Sequence, residues 1–210
     1  WNVWYQQRAE SRPPSGDDWP VAPVLLEDTY TVADAVVVGN LLISLLRHTD
    51  RVHAASLAQL VNVIAPIMTE PGGRVWKQTI FHPFAQASNL AKGVVLRPVI
   101  DSPTYTTAKF GETSLLDAVA TWDEETGETV VFAVNRSTSE SLELEIDLRG
   151  TAPDVIEATS YSNEDPYWVA TVEDDTSVLP TANSSARVSD GVAHATLPPC
   201  SCKLVSMANA

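Results

Sequence analysis

Cysteine is almost missing from this sequence: Cys200 and Cys202 are the only two. Two positions apart in an expected strand, they would leave one face together and close too short a loop for good disulfide geometry. A disulfide framework is therefore excluded, and the sequence suits a reducing, cytoplasmic compartment. Long apolar runs are missing too. The richest stretches, Ala35–Leu46 and Ala54–Met68, are interrupted by Gly39, Asn40, Ser44, Gln59, Asn62 and Pro66, so neither supplies the ~20 apolar residues of a membrane span. Basic residues are few, 13 against 27 acidic ones, for a net charge of −14; nucleic acid and anionic membranes are poor partners for such a chain. His48, His53, His82 and His194 lack metal-ligand spacing and read as structural, so no metal is expected. No phosphate loop, serine triad or dinucleotide fingerprint occurs, and no cofactor is expected. The chain opens on Trp1 with no basic-then-apolar leader, and its only methionines are Met68 and Met207. It reads as the tail of a longer polypeptide.

What is present is a folded chain of 210 residues, 44% apolar, enough for one large domain or two small ones. Charge divides it. Residues 1–92 carry 8 acids and 7 bases, whereas residues 93–210 carry 19 acids and 6 bases. In the first part, Trp1–Tyr5 is strand-like and Gln6–Pro23, with four prolines, is a loop. Thr31 and Asp34 form an acidic capping box, and the three- and four-residue spacing of apolar residues predicts a helix over Val32–His48. Close packing of Gly39 against a neighbouring backbone would offset its helix penalty of about 1 kcal/mol. Ala54–Met68 reads as a doubly covered parallel strand, followed by a second helix from about Pro83. The order strand, loop, helix, strand, loop, helix implies α/β architecture with a parallel sheet. A closed (β/α)8 barrel needs roughly 200 residues, so residues 1–92 cannot close one alone.

Beyond Gly93 the period becomes two. Leu142, Leu144, Ile146 and Leu148 alternate with Glu143, Glu145 and Asp147, as in a half-buried antiparallel strand. Similar segments at Val94–Ile100, Ser114–Trp122, Thr129–Asn135, Val155–Tyr161, Val192–Thr196 and Cys202–Met207 predict a β-sandwich. Asn163–Asp190 reads as a long, acidic, mobile surface excursion.

Two residues invite chemistry. Trp4 offers an indole face on which a sugar ring could stack, or it is a core tryptophan. Gln59 interrupts the apolar strand Ala54–Met68, and barrel enzymes keep their active residues at the C-terminal ends of strands; it either binds a substrate hydroxyl or is a structural amide satisfied by backbone. Asn62 has the same two options and leans to structure.

Three separated segments, Trp1-Asn2-Val3-Trp4-Tyr5, Leu25-Leu26-Glu27-Asp28 and Leu57–Thr69, resemble in order and spacing the C-terminal half of the α-L-arabinofuranosidases of glycoside hydrolase family 51. The resemblance implies the C-terminal end of a (β/α)8 TIM barrel over residues 1–92, namely its last two βα units, and an antiparallel, jelly-roll-like β-sandwich over residues 93–210. It further implies retaining hydrolysis of terminal α-L-arabinofuranosyl residues from arabinoxylan- or arabinan-type oligosaccharides. The nucleophile glutamate would stand immediately before Trp1 and the acid/base further upstream, leaving no catalytic residue within this chain and the chain inactive by itself. On the same basis Trp4 walls the arabinose site, Gln59 hydrogen-bonds the arabinofuranose, and Leu26 is an apolar wall on the leaving-group side. The loop Gln6–Pro23 would set aglycone preference. The partners implied are the remainder of the parent chain and further copies in a homo-oligomer. The rival readings are another glycosidase of the same barrel clan, such as a β-xylosidase or endoglucanase, and a non-catalytic carbohydrate-binding or assembly module. Trp122 in a strand and Trp168 in a polar loop give that module no aromatic row.

Overall fold

Residues 1–3, 28–149 and 153–208 are described by a computed structural model, in which the Thr31–Asp34 capping box is closed. Asp34 N donates to Thr31 Oγ1 (3.2 Å) and Thr31 N donates to Asp34 Oδ2 (2.7 Å), so two orphan donors are satisfied where α1 (Val32–Arg47) begins. Arg47 in its last turn suits the negative end of the helix dipole. Gly39 packs closely, but against side chains rather than backbone: a Cβ there would lie 2.9 Å from Cys202 Sγ and 3.3 Å from Val134 Cγ1.

The expected parallel strand over Ala54–Met68 is replaced by something shorter. Most of residues 53–61 are exposed and in no regular strand. Left-handed backbone at Asn62 and Val63 (φ 60° and 64°) then turns the chain into an antiparallel hairpin of β1 (Ile67–Thr69) and β2 (Val75–Lys77). An apolar run becomes a ladder only where a neighbouring strand meets it, and among the described residues this run is met by Trp1 around Leu57 and by β2 at Ile67–Met68. Helix α2 (Phe81–Leu90) follows. It passes into the next strand through Gly93, which has a positive φ and where an added Cβ would lie only 2.0 Å from Trp122 O, so no side chain fits.

The remainder is a β-sandwich. Its strands are β3 (Val94–Leu96), β4 (Thr104–Thr107), β5 (Gly111–Ser114), β6 (Leu116–Trp122), β7 (Thr129–Asn135), β8 (Leu142–Asp147), β9 (Asp154–Tyr161), β10 (Thr181–Ala182), β11 (Arg187–Ser189), β12 (Val192–Leu197) and β13 (Ser201–Ala208). A six-stranded sheet, ordered β10-β9-β13-β7-β6-β3, faces a three-stranded one, β11-β12-β8, and β4–β5 stands apart as a hairpin. Between the sheets lie Ala118, Ala120, Val131, Ala133, Leu144, Val205 and Met207. The outer face of the larger sheet is not wet. Val130, Phe132, Val134, Cys202 and Leu204 form a second core there with Val32, Ala35, Val36 and Ile43 of α1 and Ala87 of α2. Burial on both faces explains why β7 and nearly all of β13 are buried without alternation.

Asp117 and Arg136 fasten α1 to this sheet. Both Arg47 and Arg136 pair with the Asp117 carboxylate, the latter at 2.7 Å, and Arg136 Nε also donates to Asn40 Oδ1 (2.8 Å). Segment 163–190, expected to be a mobile polar excursion, is instead knit to the first part of the chain. Val32 N donates to Trp168 O (3.1 Å) and Ala33 N to Pro166 O (2.8 Å), Thr31 bridges Val169, and Ala170 and Val178 are buried. Those partners lie some 130 positions away, so local polarity could not reveal them.

Candidate functional site

Trp1 N donates to Ser56 O (3.1 Å) and Ala58 N donates to Trp1 O (2.9 Å). This is the bond pattern of parallel neighbours with Trp1 opposite Leu57. The Asn2 amide links the same elements, donating to Ala58 O and Ile64 O. Trp1, Val3 and Leu57 pack with Tyr30, Val38 and Ile80 under the helices. Two short parallel segments therefore run side by side beneath α1 and α2. Gln59 lies two residues beyond Leu57, joined to Ala58 by a cis peptide, and Trp4 lies three beyond Trp1. Trp4 and Leu26 fall outside the described residues.

Gln59 is exposed, and its amide makes no hydrogen bond among the described residues. The structural amide is a different one, Gln78, which the sequence did not flag. Buried Gln78 donates to Ala65 O (2.8 Å) and Asp28 O (3.2 Å) and accepts from Tyr30 N (3.0 Å), so the backbone leading into α1 is bound to the turn beyond Gln59. Tyr30 Oη adds a bond to Val3 O (2.7 Å). Asn62 is structural: its Oδ1 accepts from Thr69 N (2.7 Å) and its Nδ2 donates to Thr69 Oγ1 (2.9 Å).

Several buried titratable groups are perturbed. His82 is buried against Tyr161, ring centroids 4.8 Å apart, and its pKa is lowered to about 4, first by burial and then by nearby Lys77. Burial raises the Tyr161 hydroxyl and both thiols, Cys202 most strongly, which keeps the thiols protonated and inert. The cysteines are free, and Cys200 lies in the turn before β13 rather than on the strand, so the expected shared face does not arise. Lys203 Nζ donates to Thr196 O (3.1 Å), and burial lowers its pKa to about 8 against the opposing pull of Glu143. Among the described residues no cluster of His, Cys, Asp and Glu is fit for a metal. No helix there is long and apolar enough to cross a membrane.

Known proteins match this arrangement closely. The family model described as the α-L-arabinofuranosidase C-terminal domain matches residues 1–201. An intracellular exo-α-(1→5)-L-arabinofuranosidase of Streptomyces lividans is 50% identical over 202 residues, covering 96% of this chain and 30% of that protein. An exo-α-(1→6)-L-arabinofuranosidase of Bifidobacterium longum is 48% identical over 206 residues, covering 96% and 39% respectively. The chain thus spans between a quarter and a half of the length of these relatives. The solved structure of a family 51 α-L-arabinofuranosidase from Bifidobacterium longum superposes with a TM-score of 0.87 at 44% identity, over 98% of this chain and 40% of that one. The chain belongs to the α-L-arabinofuranosidase C-terminal domain family, within glycoside hydrolase family 51.

Proposed function

We propose that this chain is the C-terminal part of an intracellular, retaining α-L-arabinofuranosidase. In this reading residues 1–92 are the last two βα units of a TIM barrel, and residues 93–210 are the sandwich that buttresses them. The parent enzyme removes terminal α-L-arabinofuranosyl residues from arabinoxylan- or arabinan-type oligosaccharides. The observation that carries the reading is the parallel pairing of Trp1 with Leu57. It supports a barrel edge at which Trp4 and Gln59 follow directly on two neighbouring strands, at the ends where barrel enzymes keep their active residues.

The chemistry of retention needs two carboxyl groups about 5–5.5 Å apart, one as nucleophile and one as acid and then base. Both lie upstream of Trp1, the nucleophile immediately before it. This chain supplies the binding half of the site. Trp4 forms a wall against the sugar ring, the exposed Gln59 amide binds a furanose hydroxyl, and Leu26 lines the leaving-group side. No metal or cofactor takes part, and the parent assembles as a homo-oligomer. A mechanism-based arabinofuranosyl label on the parent, followed by peptide mass analysis, tests the assignment. The label is expected on the glutamate preceding Trp1; label on any acid between Trp1 and Ala210, or hydrolysis by residues 1–210 alone above a buffer blank, would refute it.

A further inference from the structure

The acidic excursion 163–180 belongs by sequence to the sandwich, yet its tethers are in the first part of the chain. Val32 N and Ala33 N, the first donors of α1, bond to Trp168 O and Pro166 O. Arg74, in the turn between β1 and β2, donates to Val172 O and pairs with Asp175. Chain direction says where these anchors sit. The segment Trp1–Val3 runs out toward Trp4 and returns at the N-terminus of α1; the segment holding Gln59 runs out into the β1–β2 hairpin and returns at α2. Both anchors therefore lie at the strand-end face, the face on which a barrel binds its substrate.

On that face the excursion holds one ring outward. Tyr167 sits between the two carbonyls that bond α1. Its own N–H donates to Asp165 Oδ1 (2.9 Å), while Trp168 N donates to Asp165 O (3.2 Å). Trp168 packs inward on the helix-side core, and Tyr167 remains 73% exposed. The backbone of the turn that carries this ring is held by four hydrogen bonds, so little backbone freedom is lost when a ligand covers it.

We infer that Tyr167 is a specificity residue of the parent enzyme, a rim on which the sugars next to the cleaved arabinofuranose stack. The inference rests on the function proposed above. Sugar C–H faces suit a phenol ring. Glu164 and Asp165 precede Tyr167 in the same turn and their charge disfavours carboxylates, so the ligand is a neutral oligosaccharide rather than an acidic one.

The test compares wild type, Tyr167→Ala and Tyr167→Phe in the complete parent enzyme on two substrates: α-L-arabinofuranosyl fluoride, which has no sugar beyond the cleaved bond, and a linear arabino-oligosaccharide. The expected result is a three- to tenfold lower kcat/KM for Tyr167→Ala on the oligosaccharide, no change on the fluoride, and near wild-type values for Tyr167→Phe on both. An unchanged oligosaccharide-to-fluoride ratio, whether both rates fall together or neither does, overturns the inference. A wild-type parent inactive on both substrates overturns instead the function on which it rests.

Discussion

Gln59 and Gln78 divide two roles that one residue type can fill. Gln78 joins three backbone groups in the interior; Gln59 makes no bond among the described residues and faces out. Gln59→Ala in the parent enzyme should therefore leave the melting temperature unchanged and lower kcat/KM up to roughly tenfold, the worth of one neutral hydrogen bond. Steady-state kinetics beside a thermal melt separate the two effects. His82 makes a different kind of prediction. Its pKa in the folded protein is about 4, against 6.5 for the free group. Protons then bind the unfolded chain first, so its contribution is fully present above pH 6.5 and is lost as pH falls toward 4. Melting temperatures measured across that window should decline with acid, and His82→Phe should flatten the decline between pH 6.5 and 4.

Helix α1 works as a slab between two partners, and Gly39 sets its distance from the sheet. Gly39→Ala gains about 1 kcal/mol of helix propensity but drives a methyl to 2.9 Å from buried Cys202 Sγ. The net effect alone should be destabilising. In a Cys202→Ala background, where the obstructing sulfur is gone, the same change should become neutral or stabilising, a coupling that a double-mutant cycle of melts in the parent enzyme reads directly. At this scale the sequence is legible in some places and not in others. The Thr31–Asp34 cap and the alternation of Leu142–Leu148 depend on neighbours within a few residues, and the structure has both. The run Ala54–Met68 carries strand chemistry but meets partners only around Leu57 and at Ile67–Met68 among the described residues, so composition overstated its length. The anchorage of Trp168 on α1 depends on a contact across some 130 positions, which no local pattern encodes. At the site, the apolar run around Gln59 marked that residue but left its role open between ligand and structure, and nothing local marked Gln78 as the structural amide.

At the scale of the whole molecule, alternation over residues 93–210 suggests a sandwich with a sufficient core of its own. The structure adds that one face of its larger sheet is covered by helices from residues 1–92. Residues 94–210 expressed alone would therefore present Val130, Phe132, Val134, Cys202 and Leu204 to water. Apolar patches of that kind promote association, so this fragment should bind hydrophobic dyes and scatter light; a monodisperse fragment with one cooperative melt would contradict the expectation. The smaller sheet raises the opposite issue. β8 is its last strand, paired with β12 on one side only among the described residues, and an open strand edge is a template on which copies of a protein can stack without limit. Here Glu143, Glu145 and Asp147 alternate along that edge with its inward-facing residues. Two such edges meeting antiparallel would set carboxylates against carboxylates, a pairing that costs energy at every second residue. The acidic stripe that marked β8 as a half-buried strand is thus also a terminator, one that ends the sheet without a further strand to close it.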